Sequence, residues 1–259
     1  MIPDNVCFID LETLPEDACV GMDPGCAPGW TPTPIDQLVA EPGRRTCPTS
    51  YRKSQTIDAW EARESERYST AVREAWLAAH DAQEIERAKG REEWAKGSLN
   101  PLRGRVACIS VAFGEGDVDV IECAEDEASG LRELSGRIGG ARVFVAHYGI
   151  GFDFPFLQVR AMRHGGLRLA RALHQDKPWD GRLVDTKDWW PVVGRKGARL
   201  VDCCALLGID HSEGNPIDGS EVLDAYISGR WQEVVEHARA DVRDLREVYR
   251  VLAQVRGEL

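Results

Sequence analysis

VCFIDLET, from Val6 to Thr13, is the stretch that decides the fold. Four apolar residues run into Asp10, and Leu11, Glu12 and Thr13 follow in alternation. A short apolar run bounded by polar residues reads as a buried strand. Side chains two apart on a strand share a face, so the carboxylates of Asp10 and Glu12 can reach one point. Such a pair at the end of a buried strand is costly unless something cationic compensates it. Taken alone, a solvent-facing strand end is the simpler account.

Outward from this strand, a Gly-, Pro- and Cys-rich loop runs from about Pro15 to Pro48, and Glu, Arg and Ala dominate from Thr56 to about Ala95. There Ile57, Trp60, Tyr68, Val72, Trp76 and Ala79 recur at three- and four-residue steps, which predicts one long amphipathic helix or a hairpin of two. The strand period then returns. RVACISVAFG (105–114) and DVDVIE (117–122) predict two antiparallel strands joined at Gly114–Gly116. GLRELSGRI (130–138) reads as a helix, ARVFVAH (141–147) as a buried strand and PFLQVRAMRHG (155–165) as a helix with Pro near its start and Gly after its end. RLVDT (182–186) is a short strand or turn. SEVLDAYISG (220–229) is helical with Ser220 as a plausible N-cap, and Trp231 to about Arg256 is a long amphipathic helix. This order predicts an α/β fold with a mixed sheet flanked by helices, as in ribonuclease-H-like domains. We expect a single domain over 1–259 with a loop-plus-helix insertion at about 15–100.

The net charge of −11 over 259 residues weighs against tight groove-type DNA binding, which is usually basic, and leaves catalysis on a strand end untouched. No apolar run approaches the roughly 18 residues of a membrane span, and the N-terminus lacks the pattern of a signal peptide. The eight cysteines contain no CxxC pair, so reduced thiols in a cytoplasmic protein are expected, in a bacterial cell or in an infected host cell if the chain is viral. Cys19, Cys26 and Cys47 in the loop could bind a metal, but the spacing argues against a zinc site, and reduced thiols are the expectation.

Two further acidic positions stand out. Asp153 lies in VFVAHYGIGFDFPFL (143–157), where a helix opens just before Pro155; alone it reads as a capping residue. In EHARADVRDLREVY (236–249), His237 and Asp241 are four apart and share a helical face. Together the fragments are more specific. Phosphodiester hydrolysis with two metals needs several carboxylates to hold hard cations about 3.5–4 Å apart, and a side chain that orients the attacking water.

FIDLET (8–13) matches the D-x-E motif of the DEDD exonucleases, AHYGIGFDFPFL (146–157) resembles their second motif, and HARADVRDLREVY (237–249) their third. The chain most resembles the predicted 3′–5′ exonucleases related to the proofreading domain of family-B DNA polymerases, including bacteriophage versions. CPTSYRKSQTI (47–57), SLNPLRGRVACISVA (98–112) and the lead-in from Cys204 to Val242 extend the likeness. The resemblance implies Asp10, Glu12, Asp153 and Asp241 as ligands of two Mg²⁺ or Mn²⁺, with His237 orienting the water. This branch usually has Tyr at that spacing, and relatives commonly have His-Asn where this chain has His147–Tyr148. The Tyr148 ring could instead stack on a base. The resemblance further places Leu11, Thr13, His147, Tyr148, Phe152, Asp218 and Ser220 near substrate. Of the local basic groups, Arg195, Lys196 and Arg199 in a loop, and Arg160, Arg163 and Arg168 around a helix, could contact the backbone of a nucleic acid.

The expected function is removal of nucleotides from the 3′ ends of DNA, single strands preferred, with no membrane partner. No polymerase domain fits beside the nuclease, so proofreading would serve a separate DNA polymerase. An RNA-trimming exonuclease is the second reading. A non-catalytic module that binds strand ends or docks a replication partner is the third, with Trp60, Trp76 and Trp94 as its surface; packing of those tryptophans on the nuclease core is the expectation here.

Overall fold

The computed structural model describes residues 1–39, 42–49, 54–175, 177, 181–190, 198–211 and 215–259. They form two compact units: Met1–Pro24 with Trp94–Leu259, and Gly25–Glu93. The strands are β1 (Val6–Pro15), β2 (Gly104–Phe113), β3 (Asp119–Glu122), β4 (Val143–Ala146) and β5 (Leu183–Asp185). The helices are α1 (Ile35–Leu38), α2 (Ser54–Ala95), α3 (Glu127–Arg137), α4 (Asp153–Arg163), α5 (Leu167–Ala172), α6 (Thr186–Trp189), α7 (Leu200–Leu207), α8 (Val222–Ile227) and α9 (Trp231–Arg256).

In the larger unit the strands form one sheet in the order β3-β2-β1-β4-β5. β1 pairs antiparallel with β2, and β2 with β3, while β4 runs parallel to β1 and β5 to β4. The sheet is therefore mixed, as the order of elements predicted, and the fold is ribonuclease-H-like.

Alternation along β1 sorts its side chains between two layers. Cys7, Ile9 and Leu11 join Leu131, Leu134, Phe154, Leu157 and Leu169 of α3, α4 and α5 in one core. Val6 and Phe8 face the other way and pack against Val242, Leu245 and Tyr249 of α9. The Phe8 ring meets that of Tyr249 edge to face at 5.3 Å, a pairing worth about 0.5–1.5 kcal/mol beyond its area. Asp10 and Glu12 continue the even-numbered face, so the register that buries Phe8 also directs both carboxylates towards the α9 layer. α9 is amphipathic, and it stops at Gly257, whose φ of 72° is a left-handed conformation that costs glycine no Cβ clash.

One buried ion pair joins the layers. The Arg160 guanidinium, 1% exposed, donates to Glu127 Oε1 at 2.8 Å and to Oε2 at 2.5 Å. Glu127 Oε1 also accepts the Val106 N–H at 2.7 Å, and Oε2 lies 2.7 Å from His164 Nε2. Burial alone would raise the Glu127 carboxyl; the hydrogen bonds from Arg160, Val106 and His164 outweigh it and hold the group low. Arg160 thus ties α4 to α3 and β2. It is not free for the substrate backbone, as its sequence position suggested, and Arg163 pairs with Glu16 at 2.7 Å.

The smaller unit is a loop laid along most of α2. Where the sequence allowed one helix or a hairpin, α2 is one continuous helix of 42 residues; no Pro falls inside it, and Gly90 lies too near its end to divide it. The Arg45 N–H donates to Glu64 Oε1 at 2.8 Å, Arg67 to the Gly43 carbonyl at 3.1 Å and Gln83 to the Thr33 carbonyl at 2.7 Å. Arg44 sits 4.4 Å from the Tyr68 ring centroid. Trp76 is 47% exposed and stacks on His80, so it is not the core residue expected. Trp94 belongs to the larger unit, where it packs beside Leu14 and Ala18 and donates to Asp17 at 2.7 Å. No disulfide joins any of the cysteines among the described residues. Among the described residues no helix is long and apolar enough to cross a membrane.

Candidate active site

Three elements converge over the middle of the sheet. β1 supplies Asp10 and Glu12, the first turn of α4 supplies Asp153, and α9 supplies His237 and Asp241. The pairing of β1 with β2 breaks just beyond the carboxylates, where Glu12 opposes Cys108 and Thr13 opposes Val106, skipping Ala107. Asp153 is 4% exposed and is the first residue of α4; Phe152 holds the cap position, with no side-chain cap. The capping account of Asp153 therefore fails, and its buried carboxylate requires another.

The carboxylates act on one another electrostatically. Burial, then the charge of Asp241, pushes Asp10 up to about 7, against the pull of His237 and the Leu11 N–H. Burial chiefly takes Asp241 to about 7 as well. Glu12 is driven well up by burial and then by Asp10, Asp241 and Asp153, and Asp153 by burial and then by Asp10. Asp10 Oδ2 is buried with no hydrogen-bond partner among the described residues. Four crowded carboxylates with an orphaned oxygen are the donor set of a hard divalent cation, and these residues fit one.

A consequence for stability follows from the sign of the shifts. A carboxyl raised in the folded state contributes stability that is complete below its unfolded value of about 4 and lost as pH rises through about 7. Metal-stripped protein should therefore melt at progressively lower temperature between about pH 5 and about pH 8, and added Mn²⁺ should remove that slope. Calorimetry with and without Mn²⁺ checks it; a flat metal-free profile would show that the carboxylates do not burden the fold.

His237 is 4% exposed. Its Nε2 lies 3.3 Å from Glu12 Oε1, and its Nδ1 lies 2.8 Å from Asn215 Oδ1 and 3.8 Å from Asp241 Oδ1. Burial holds the imidazole below its ordinary value, although Asp10 and Asp218 oppose this. Glu12, His237 and Asp241 each offer a ligand atom within 4.8 Å of the others.

The remaining expected substrate residues divide. The Leu11 side chain is buried in the opposite core, so only its backbone N–H, which favours the charged forms of Asp10 and Asp153, belongs to the site. Phe152 is partly buried against that core, its ring centroid 5.4 Å from that of Phe156. Thr13 is half-buried beyond the break in pairing. His147 is spanned by Thr186 Oγ1 and the Ala198 carbonyl, each at 2.9 Å, so both ring nitrogens are engaged within the fold. Tyr148 is 51% exposed, with Lys187 Nζ 4.1 Å from its ring centroid. Its φ of 70° is left-handed, a conformation that Asn tolerates better than Tyr. Relatives with Asn at this position, as the resemblance implies, would satisfy a backbone requirement there.

Asp185 enforces that strain and escaped the sequence reading. One of its oxygens accepts the N–H of Tyr148 at 2.8 Å and of Lys187 at 3.0 Å, and the other accepts that of Ile150 at 3.1 Å. Its place at the carboxyl end of a parallel strand was the available signal. Asp218 and Ser220 lie in the turn against His237, where a Cβ on Gly219 would stand 3.5 Å from Nε2. Asp218, not Ser220, is the cap: its side chain accepts the Ser220 N–H at 2.9 Å, and Glu221 closes a capping box. Arg195 and Lys196 lie outside the described residues. A cavity of about 530 Å³ opens beside the carboxylates, lined by Arg199, His211, Asn215, Asp218, His237 and Asp241 among others.

A mixed α/β sheet whose middle strand and last helix gather buried carboxylates beside an imidazole is the framework of a nuclease. Residues 104–259 match the family described as predicted 3′–5′ exonucleases related to the exonuclease domain of PolB, and the chain belongs to that family. It is thus a 3′–5′ exonuclease, a hydrolase. The matched segment holds Asp153, His237 and Asp241, while Asp10 and Glu12 precede it. An uncharacterized protein of Methanocaldococcus jannaschii is 27% identical over 174 residues, covering 60% of this chain and 89% of that protein. The family B DNA polymerase of the hyperthermophilic archaeon Pyrobaculum calidifontis is 24% identical with a TM-score of 0.49, over 61% of this chain and 23% of the polymerase.

Proposed function

We propose that the chain is a metal-dependent exonuclease that shortens DNA, preferably single-stranded, from its 3′ end. The observation that carries this is the orphaned, buried Asp10 Oδ2 among three further carboxylates, with His237 Nε2 3.3 Å from Glu12. In this reading Asp10, Glu12, Asp153 and Asp241 hold two Mg²⁺ or Mn²⁺. When bound, the ions supply the positive charge that phosphodiester hydrolysis requires and acidify the attacking water. His237 orients that water and takes its proton at Nε2, the ring nitrogen facing Glu12. The exposed Tyr148 and the cavity beside Asp218 receive the terminal nucleotide. DNA is favoured over RNA because the family is related to the exonuclease domain of a DNA polymerase. Proofreading for a separate polymerase is the corresponding cellular role.

Digestion of 5′-labelled single-stranded DNA and RNA with Mn²⁺ tests this. The expected result is a ladder shortening from the 3′ end, faster on DNA, with His237→Ala slower by about 10²-fold. Faster trimming of RNA would favour the exoribonuclease. No cleavage of either polymer would favour a module that only binds strand ends.

A further inference from the structure

A second group of metal-binding side chains lies on the seam between α7 and α9. Cys204, His211 and Asp244 each offer one ligand atom within 4.8 Å of the others. Cys204, in α7, is 0% exposed and packs in a cluster with Val248 and Leu252 of α9. α7 ends at Gly208, whose φ of 69° is left-handed and lets the chain turn back. The Ile209 N–H donates to the Cys204 carbonyl at 2.9 Å, and the His211 N–H to the Ile209 carbonyl at 3.0 Å. This turn returns an imidazole to a thiol of the preceding helix. Asp244 completes the group from α9, its Oδ2 2.5 Å from His211 Nδ1.

A buried thiol is ordinarily apolar packing, and a His–Asp pair is ordinarily a structural ion pair. Neither account explains why a carboxylate faces the thiol. Burial first, and then the charge of Asp244, oppose ionisation of Cys204. A cation among the three groups would turn that repulsion into a shared attraction. We propose that Cys204, His211 and Asp244 form a second metal site, for a single Zn²⁺ ion. Sulfur, nitrogen and oxygen donors together suit Zn²⁺, whereas an all-carboxylate cluster suits Mg²⁺ and Mn²⁺. Binding releases the thiol proton and the proton held between Nδ1 and Oδ2 to water. Zinc holds N and O ligands about 3.3 Å apart, so the His211–Asp244 contact opens by less than about 1 Å. His211 lines the cavity of about 530 Å³, which gives the ion a route in and water as a fourth ligand. The ion ties α7 and the turn after it to the helix that carries His237 and Asp241, a structural role.

Titration of the metal-stripped full chain with Co²⁺ in excess Mg²⁺ tests this. Mg²⁺ takes the hard carboxylates, and a cobalt–thiolate bond alone gives an intense near-ultraviolet charge-transfer band. One equivalent of Co²⁺ should produce that band, and Zn²⁺ should remove it by displacement. X-ray absorption of protein with one equivalent of Zn²⁺ should show one sulfur at about 2.3 Å and lighter donors at about 2.0 Å. Cys204→Ser should abolish the band and weaken Zn²⁺ binding more than about 100-fold. His211→Gln, at a partly exposed side chain, should weaken binding at least about 10-fold and guards against a folding artefact in the Ser variant. Zn²⁺ should raise the melting temperature of wild type and not of Cys204→Ser. Asp10→Ala should keep the band. The absence of a band, a zinc shell without sulfur, a band that survives Cys204→Ser or one lost in Asp10→Ala overturns the proposal. None of these readouts is nuclease activity, so such a failure leaves the exonuclease reading intact.

Discussion

Asp10→Ala should abolish 3′ shortening, lowering the rate by roughly 10³- to 10⁵-fold, the equivalent of the several kcal/mol that correctly held cations contribute to the transition state. Asp10 is the member of the cluster with a buried Oδ2 that has no hydrogen-bond partner among the described residues, and the backbone hydrogen bond to its carboxyl comes from the neighbouring Leu11. Burial and the charge of Asp241 make its ionised form unfavourable in the fold. The variant should therefore melt at least as high as metal-free wild type near pH 8, and lose most of the gain that Mn²⁺ gives. Loss of activity with retained or increased stability is the signature expected of a site residue. A variant that keeps more than about a tenth of wild-type activity would remove Asp10 from the catalytic set.

Arg160→Ala should have the opposite profile, with the larger effect on stability. Deleting one partner of a buried ion pair costs about 3–5 kcal/mol, because the other charge stays buried and uncompensated. Here the stranded group is Glu127, left with only the Val106 N–H and His164 among its partners. At roughly 2–4 °C per kcal/mol for a chain of this size, the melting temperature should drop by roughly 6–20 °C. Since α4 carries Asp153 in its first turn, activity should fall through displacement of that carboxylate and recover in part at lower temperature. An unchanged melting temperature would show that the Arg160–Glu127 pair contributes nothing net. A stable variant with lost affinity for single-stranded DNA would return Arg160 to the substrate-contact role that its sequence position suggested.

These two residues mark what local pattern conveys. Asp10 and Glu12 were legible because strand alternation is strict: the period that buries Phe8 fixes the face of both carboxylates. His237 and Asp241 were legible because helical spacing places residues four apart on one side. Arg160 was misread because a cation near a helix end looks the same whether it meets solvent or Glu127, thirty-three residues earlier in the chain. Ser220 was misread as a cap because Asp218, two residues before it, offers the same chemistry in a better position. The tertiary surroundings also reversed the simple account of Asp153, whose cap position is taken by Phe152.

The sequence by itself determined the alternation of β1, the amphipathic run of α9, the order of elements that makes a mixed sheet, and the acidic motifs. All depend on residues a few positions apart, where backbone geometry dictates which side chains share a face. Only the tertiary structure decided that Asp185 holds the Tyr148 loop in its strained conformation, and that Asn215 spans His237 and Asp241. Those contacts join residues 37 and 22 positions apart. No periodicity encodes such a distance; it is set by how the layers close on the sheet, and that closure gives each polar group its partner.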